Sequence, residues 1–242
     1  MNKFPVLEIF GPTIQGEGMV VGRKTMFVRT AGCDYSCAWC DSAFTWDGSA
    51  KDEIEKLTSE EIIGRLKDIG GDQFDHVTIS GGNPALLKHL DELVDDLHEL
   101  NIEVALETQG SRWQDWFVSI DDLTISPKPP SSKMKTNWMV LDDIIEKLKS
   151  SDRLSYTSLK VVIFDHADLQ YAEQIHQRYQ NIPFYVQVGN DDLDEMQPDQ
   201  LASRLLEKYE WLIDQVVTSN TLNRVRVLPQ LHTLVWGNKR GV

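Results

Sequence analysis

The chain has 242 residues, of which 41% are hydrophobic and 26% charged, and its 24 Lys and Arg against 38 Asp and Glu give a formal net charge of −14. This composition is typical of a globular protein with a sizeable core, and we predict one domain over residues 1–242. The acidic balance argues against nucleic-acid binding, which needs clustered Lys and Arg. No apolar run approaches the ~18 residues of a membrane span and the start lacks an apolar signal core, so we expect a cytoplasmic protein that does not bind membranes.

Apolar runs rich in Val, Ile and Phe alternate with helical patterns, which is typical of an α/β fold around a parallel sheet. We predict strands at residues 6–10, 25–29, 76–79, 102–106, 123–125, 158–164, 183–187 and 225–227. We predict helices at residues 59–68, 85–100, 141–149, 167–179 and 198–214. Thr58 and Glu61 have the spacing of a capping box at the start of the first helix. Pro198 suits the first turn of the last helix.

Polar or glycine-rich clusters follow the carboxyl ends of five predicted strands. They begin at Cys33, Ser80, Glu107, Ser126 and Gln187. Parallel α/β folds bind ligands at that edge of the sheet, whereas turn chemistry alone explains any single cluster. The five clusters together predict an active site at the carboxyl edge of the sheet. By composition, residues 126–132 are also compatible with a flexible hinge, but they directly follow a strand, and we interpret them as a loop of the same domain.

The three cysteines, Cys33, Cys37 and Cys40, lie within eight residues in a C-x3-C-x2-C pattern. An odd number packed so closely cannot form a disulfide framework. Thiolates at this spacing suit an iron–sulfur cluster or part of a zinc site. A structural zinc needs a fourth protein ligand, and none lies nearby in the sequence. We therefore favour a [4Fe–4S] cluster with one open iron, with zinc and incidental cysteines as the alternatives.

The cysteine pattern, with Trp39 directly before the last cysteine, resembles the signature of radical S-adenosylmethionine enzymes. The stretch Ser80-Gly81-Gly82-Asn83-Pro84 resembles their Gly-Gly-Glu-Pro turn, with Asn83 in place of Glu. The resemblance implies S-adenosylmethionine as a cofactor on the open iron. The cofactor contacts that it implies are Trp39, Cys40, Asp41, Gly82, Asn83, Ser126, Pro127, Lys128, Gln187, Val188, Gly189 and Asn190.

Within that superfamily, residues 8–18 and the stretches 27–33, 40–42, 107–110, 126–128 and 228–232 resemble the 7-carboxy-7-deazaguanine synthases. This resemblance implies a shortened, open (β/α) barrel of about six parallel strands with flanking helices, and a homodimer. It implies a lyase reaction in which 6-carboxy-5,6,7,8-tetrahydropterin becomes 7-carboxy-7-deazaguanine, an intermediate of queuosine and other deazapurines, with loss of ammonia. It also implies an electron donor such as flavodoxin.

The resemblance assigns further residues to the substrate and to a metal ion. The implied pterin contacts are Ile14, Gln15, Gly16, Glu17, Arg29, Ser80 and His232. Cys33, Cys37 and Cys40 are the implied cluster ligands, and Ser42 falls where relatives place a hydroxyl on Mg²⁺. Radical chemistry carried by the cofactor requires no dedicated catalytic side chain.

Two other functions compete with this interpretation. A glycyl-radical activating enzyme shares the cysteine spacing and a similar length, although the motif at residues 14–18 and Ser42 both argue against it. A non-catalytic zinc-binding interaction module is the alternative from a different class.

Overall fold

The computed structural model describes residues 2–193, 195 and 197–242. Within these residues, nine strands form a single sheet: β1 Phe4–Ile14, β2 Lys24–Thr30, β3 Glu55–Leu57, β4 His76–Gly81, β5 Glu103–Thr108, β6 Asp122–Ile125, β7 Thr157–Ile163, β8 Phe184–Val188 and β9 Val225–Leu228. Six α-helices accompany it in the described residues: α1 Ser59–Gly70, α2 Asp91–Glu99, α3 Trp138–Ser150, α4 His166–Arg178, α5 Pro198–Thr218 and α6 Leu231–Trp236.

The strand order is β3-β1-β2-β4-β5-β6-β7-β8-β9. The strands from β2 to β9 in this order pair in parallel, while β1 pairs antiparallel with both β2 and β3. Within the described ranges, no ladder joins β3 to β9, so the sheet is open. The predicted fold class is confirmed, with seven parallel strands rather than about six.

The two faces of the sheet differ in polarity. Side chains such as Val104, Leu159 and Val161 are fully buried in the hydrophobic core that the helices cover. The residues that alternate with these along each strand face the interior of the open barrel and are frequently polar. Thr124 and Ser158, on neighbouring strands, are an example, because their hydroxyl groups hydrogen-bond to each other. Alternating side-chain direction therefore gives one face to the core and the other to the interior of the open barrel.

Most predicted helices are present with shifted ends, and α1 has the predicted cap. The Thr58 hydroxyl accepts from the Glu61 amide at 3.2 Å, and the Glu61 carboxylate accepts from the Thr58 amide at 2.8 Å. Pro198 is the first residue of α5, as predicted. The helix extends to Thr218, four residues beyond the predicted end.

The prediction of one helix over residues 85–100 is wrong in its first part. Residues Pro84–Leu86 form a single 3₁₀ turn, and α2 begins only at Asp91. The carbonyl of Ala85 accepts from Gln114 Nε2 at 2.6 Å, and that of Leu87 accepts from Trp116 Nε1 at 3.1 Å. These side chains, distant in sequence, satisfy carbonyls that a continuous helix would have paired internally.

In the part of the chain that the structure describes, no helix combines the length and apolar character needed to cross a bilayer.

Candidate active site

A cavity of about 470 Å³ opens at the carboxyl edge of the parallel strands. All residues implied to contact the pterin or to hold metal line it: Ile14, Gln15, Gly16, Glu17, Arg29, Cys33, Cys37, Cys40, Ser42, Ser80 and His232. Six of the twelve implied cofactor contacts also line the cavity: Trp39, Cys40, Asp41, Gly82, Lys128 and Asn190. The remaining ones, Asn83, Ser126, Pro127, Gln187, Val188 and Gly189, are not among the residues that line it.

The cysteine loop follows β2 and carries its three thiols into the cavity. Trp46 Nε1 lies 3.4 Å from Cys40 Sγ, and Gln109 Nε2 lies 3.7 Å from Cys33 Sγ. Burial raises the pKa of Cys37 to about 11 and also raises the pKa values of Cys33 and Cys40. Such thiols stay protonated until a cation binds, and sulfur ligands suit an iron–sulfur cluster.

The double glycine at the end of β4, Gly81 and Gly82, lets the backbone approach the cysteine loop. Gly82 N donates to the Thr30 carbonyl at 3.1 Å, and Asn83 N donates to the Gly32 carbonyl at 2.7 Å. A Cβ on Gly82 would lie 2.1 Å from the Gly32 oxygen. No other residue fits there, because the clash would be with backbone that cannot move aside.

Asn83 lies behind the cavity wall rather than in it. Its side chain is 1% exposed, and its Nδ2 donates to Asp34 Oδ1 at 2.8 Å and to Ser111 Oγ at 3.0 Å. Its Oδ1 accepts from Thr108 Oγ1 at 2.8 Å and from the Ala85 amide at 3.2 Å. The amide therefore connects the cysteine loop, through Asp34, to the end of β5.

The Gln187 side chain, in contrast, is buried without a hydrogen-bond partner among the described residues. It is 0% exposed, and neither its Nε2 nor its Oε1 makes a hydrogen bond within the described ranges. Beyond the strand end, Asn190 N donates to Gln230 Oε1 at 2.7 Å. Gly189 packs directly against the ring of Phe164, which itself contacts Trp39 with a centroid distance of 5.0 Å.

A chain of charged and polar groups surrounds Glu17. Lys160 Nζ donates to Glu17 Oε2 at 2.5 Å, and Gln230 Nε2 donates to Glu17 Oε1 at 2.9 Å. Burial alone would raise the pKa of Glu17, but Lys160 and then His232 hold it well below its usual range. Glu17 is therefore a carboxylate at neutral pH and acts as a hydrogen-bond acceptor.

Sequence reasoning did not identify Lys160 as a site residue. It lies within the predicted strand at residues 158–164, whose other members are apolar except Ser158. A lysine in a strand that is otherwise buried is itself a signal, because an unpaired buried ammonium is strongly unfavourable. That signal would have indicated a buried carboxylate partner without saying which one.

Arg29 lines the cavity, and its guanidinium lies close to two aromatic rings. Its guanidinium carbon is 5.5 Å from the ring centroid of Phe10 and 5.4 Å from that of Phe44. Its Nη1 lies 3.2 Å from Glu8 Oε2, and its Nε has no hydrogen-bond partner in the described residues. Arg240, near the carboxyl end of the chain, also contacts Glu8 and lies over the ring of Phe44.

Glu17, Asp41 and His232 also bring three potential metal-ligand atoms within 4.8 Å of one another. The Ser42 hydroxyl donates to Asp41 Oδ1 at 2.9 Å. Oxygen-rich groups of this kind suit a hard cation such as Mg²⁺.

Comparison with known proteins agrees with this geometry. The family model described as the Radical SAM superfamily matches residues 27–155. The 7-carboxy-7-deazaguanine synthase of Bacillus subtilis (strain 168) is 67% identical over 98% of both chains, and that of Bacillus cereus is 63% identical over the full length of both. This chain belongs to the 7-carboxy-7-deazaguanine synthase family.

The crystal structure of QueE from Escherichia coli has the same fold, with a TM-score of 0.69 at 21% identity over 95% of each chain. Membership of the 7-carboxy-7-deazaguanine synthase family makes the protein a radical S-adenosylmethionine enzyme with lyase activity. A [4Fe–4S] cluster and S-adenosylmethionine are the cofactors that this superfamily implies. The full-length match favours this function over a glycyl-radical activating enzyme and over a zinc-binding module.

Proposed function

We propose that the protein converts 6-carboxy-5,6,7,8-tetrahydropterin to 7-carboxy-7-deazaguanine and ammonia. The observation that carries the proposal is that one cavity holds both a three-thiol donor set and the Glu17 and Arg29 side chains. A carboxylate accepts from the N–H and NH₂ edge of a pterin, and a guanidinium pairs with a substrate carboxylate through two parallel hydrogen bonds. The cavity therefore offers complementary groups for the two ends of this substrate.

When bound, the cluster and S-adenosylmethionine supply the one-electron chemistry that removes a hydrogen atom from the substrate. We assign Cys33, Cys37 and Cys40 as the cluster ligands, because three sulfur donors line one cavity. The residues of the chain hold the pterin in place against the cofactor. The rings of Phe10 and Phe44 keep the Arg29 guanidinium in a fixed position.

We propose that Ser42, with Asp41 beside it, provides the protein ligands for Mg²⁺ together with the substrate carboxylate. Ser42→Ala should weaken the dependence of turnover on Mg²⁺. A Mg²⁺ titration like that of the wild type would contradict this role. We further propose that the single-domain protein works in the cytoplasm as a homodimer and takes its electron from a donor such as flavodoxin.

The decisive experiment follows the hydrogen atom. Conversion of the pterin to product and ammonia is redox-neutral, so the cofactor can return the hydrogen and be regenerated. With substrate deuterated at C6, we expect deuterium in recovered S-adenosylmethionine and many product molecules for each 5′-deoxyadenosine released. Stoichiometric consumption of S-adenosylmethionine without returned deuterium would contradict the proposal.

The cluster itself has a simpler test. Anaerobically purified protein should be brown, with absorption near 400 nm (roughly, the usual iron–sulfur region).

A further inference from the structure

Lys160 is a fully charged side chain in a place that excludes water. It lies in β7, is 1% exposed, and is among the largest fully buried side chains of the protein. Taking an ammonium out of water costs several kcal/mol unless partners compensate for the lost solvation. A neutral side chain would fill this position at a lower desolvation free energy, so we expect the positive charge to have a role.

The partners of Lys160 are two carboxylates from different parts of the chain. Its Nζ lies 2.5 Å from Glu17 Oε2, and 2.7 and 2.8 Å from the two oxygens of Glu107. Both carboxylates line the cavity, whereas Lys160 does not. The ammonium therefore lies behind the cavity wall and reaches a bound molecule only through Glu17 and Glu107.

The orientation of Glu17 is set from both of its oxygens. Lys160 donates to Oε2, and Gln230 Nε2 donates to Oε1 at 2.9 Å. Gln230 is in turn fixed by the amide of Asn190, which donates to its Oε1 at 2.7 Å. Each carboxylate oxygen can accept about two hydrogen bonds, so both oxygens of Glu17 keep acceptor capacity toward the cavity.

We propose that Lys160 is a positioning residue for the substrate: its ammonium lets Glu17 and Glu107 remain side by side as carboxylates, so that Glu17 presents two acceptor oxygens to the donor edge of the pterin. This inference rests on the proposed function, because it assigns Glu17 to the pterin. Two carboxylates that share one site without a cation repel each other. Without the Lys160 ammonium, this repulsion would turn the Glu17 oxygens away from the orientation that Lys160 and Gln230 now give them.

The test measures binding of 6-carboxy-5,6,7,8-tetrahydropterin to cluster-loaded, unreduced protein in the presence of S-adenosylmethionine, by anaerobic calorimetry. We expect Lys160→Met to raise the Kd of the pterin at least tenfold and to change the Kd of S-adenosylmethionine less than twofold. Lys147→Met is the matched control, since Lys147 pairs with Asp143 on the exposed face of α3 at 2.7 Å. The control should leave both dissociation constants unchanged.

A second substitution distinguishes charge from packing. In Lys160→Met/Glu107→Gln the like charge beside Glu17 is gone, and we expect the pterin to bind at least threefold more tightly than to Lys160→Met. If Lys160 only filled space, the double variant would bind no better than the single one, and that result would overturn the proposal. Wild-type affinity in Lys160→Met would overturn it as well.

If Lys160→Met does not fold, the effect of removing Lys160 is measured in the Glu107→Gln background instead. The pterin affinity of the double variant is then compared with that of Glu107→Gln. The double variant should then bind the pterin less than tenfold more weakly than Glu107→Gln does, and a larger loss would overturn the proposal. Failure of the proposed function gives a different result, because wild-type protein would then neither bind nor convert the pterin. Turnover by the wild type together with unaffected Lys160 variants would reject the positioning role alone.

Discussion

Arg29 shows how one side chain obtains its position from its neighbours. Its guanidinium lies near the rings of Phe10 and Phe44, and Phe10 stacks on Phe27 with a centroid distance of 4.8 Å. Glu8 pairs with one end of the fork, while Nε has no partner in the described residues. The planar fork is therefore held at the cavity wall, where a substrate carboxylate can pair with it.

The Arg29 fork predicts a selective kinetic defect. Arg29→Lys keeps the positive charge but loses the bidentate geometry, so we expect the KM for the pterin to rise about tenfold, which corresponds to about 1.4 kcal/mol. The KM for S-adenosylmethionine should change much less. Steady-state kinetics with each substrate varied in turn measures both values. Equal increases in the two KM values would show that Arg29 acts on the structure rather than on the pterin.

His76 predicts how stability depends on pH. The ring is 0% exposed at the end of β4 opposite the cavity, and burial together with Arg23 lowers its pKa to about 4, against about 6.5 for a free histidine. Between these two values the unfolded state binds more protons, so stability falls as the pH decreases from 6.5 toward 4. At pH 4.5 the loss from this group is about 2 kcal/mol.

Urea unfolding of cluster-free protein at pH 7 and pH 4.5 tests this dependence. His76→Gln should reduce the difference in unfolding free energy between the two pH values by about 2 kcal/mol. His89→Gln is the control, because His89 is exposed. The same pH dependence in His76→Gln as in the parent protein would be the contrary result.

At the scale of elements, the cysteine loop depends on a hydrogen-bond network that extends beyond the cysteines. Asp34 accepts from Asn83 Nδ2 at 2.8 Å and from Gln109 Nε2 at 2.5 Å, which connects the loop to the ends of β4 and β5. This explains why Asn83 is acceptable where the superfamily motif carries Glu. A carboxylate at that position would face the Asp34 carboxylate, and the amide instead donates to it.

Asn83→Glu should therefore destabilise the protein although it restores the motif. We expect a loss of about 1–3 kcal/mol in unfolding free energy, because a buried donor is replaced by a like charge, and less iron bound after reconstitution. Adding Asp34→Asn should recover both, since the new amide at position 34 can donate to Glu. Urea unfolding and iron content are the measurements, with Asp34→Asn alone as the control. No recovery in the double variant would show that the network does not control the loop.

The segment at residues 85–100 shows that a local sequence pattern can mispredict the start of a helix. The leucines of residues 85–100 have helical spacing, and Leu90, Leu93 and Leu97 are fully buried. The chain nevertheless turns at residues 84–86 before α2 begins, because Gln114 and Trp116 bind the carbonyls of Ala85 and Leu87. Periodicity thus identified three buried leucines but not the helix boundary, which contacts from a distant segment decide.

At the scale of the whole molecule, the segment after β9 contacts residues near the opposite edge of the open sheet. Leu231 N, at the start of α6, donates to the Gly16 carbonyl at 3.1 Å, and Gln230 binds Glu17. Farther along, Arg240 pairs with Glu8 of β1 and with Glu53. These contacts bring the two ends of the described chain together over the cavity.

A substitution at Gly16 tests the contact between the start of α6 and the turn that follows β1. A Cβ at this position would lie 2.7 Å from both the amide nitrogen and Nδ1 of His232, so Gly16→Ala should push the start of α6 away from Glu17. We expect at least a tenfold rise in the KM for the pterin and a loss of about 1–3 kcal/mol in unfolding free energy.

Gly64→Ala is the control for Gly16→Ala. Gly64 lies in α1, where an added Cβ would meet no described atom within 4 Å beyond its chain neighbours and the backbone of its own helix. Its replacement should therefore add up to about 1 kcal/mol of stability and leave both KM values unchanged. Kinetics like those of the wild type in Gly16→Ala would contradict the role of α6 in closing the cavity.

The sequence by itself determined the α/β class, the cap of α1 and the side chains at the carboxyl edge of the sheet. These features follow from short-range rules: residue spacing, capping chemistry and the placement of polar clusters after apolar strands. It also carried the family resemblance, because the cysteine and glycine motifs are contiguous in the chain.

Only the tertiary structure decided which of these groups act together. Lys160 and Glu17 are 143 residues apart, and Gln230 and Glu17 are 213 residues apart. No local pattern specifies such pairs, because they form only when β7 and the segment before α6 converge on the glycine-rich turn that follows β1. The tertiary structure also decided that Arg29 lines the cavity, whereas Asn83 lies behind the cavity wall because it is bound there by Asp34 and Thr108.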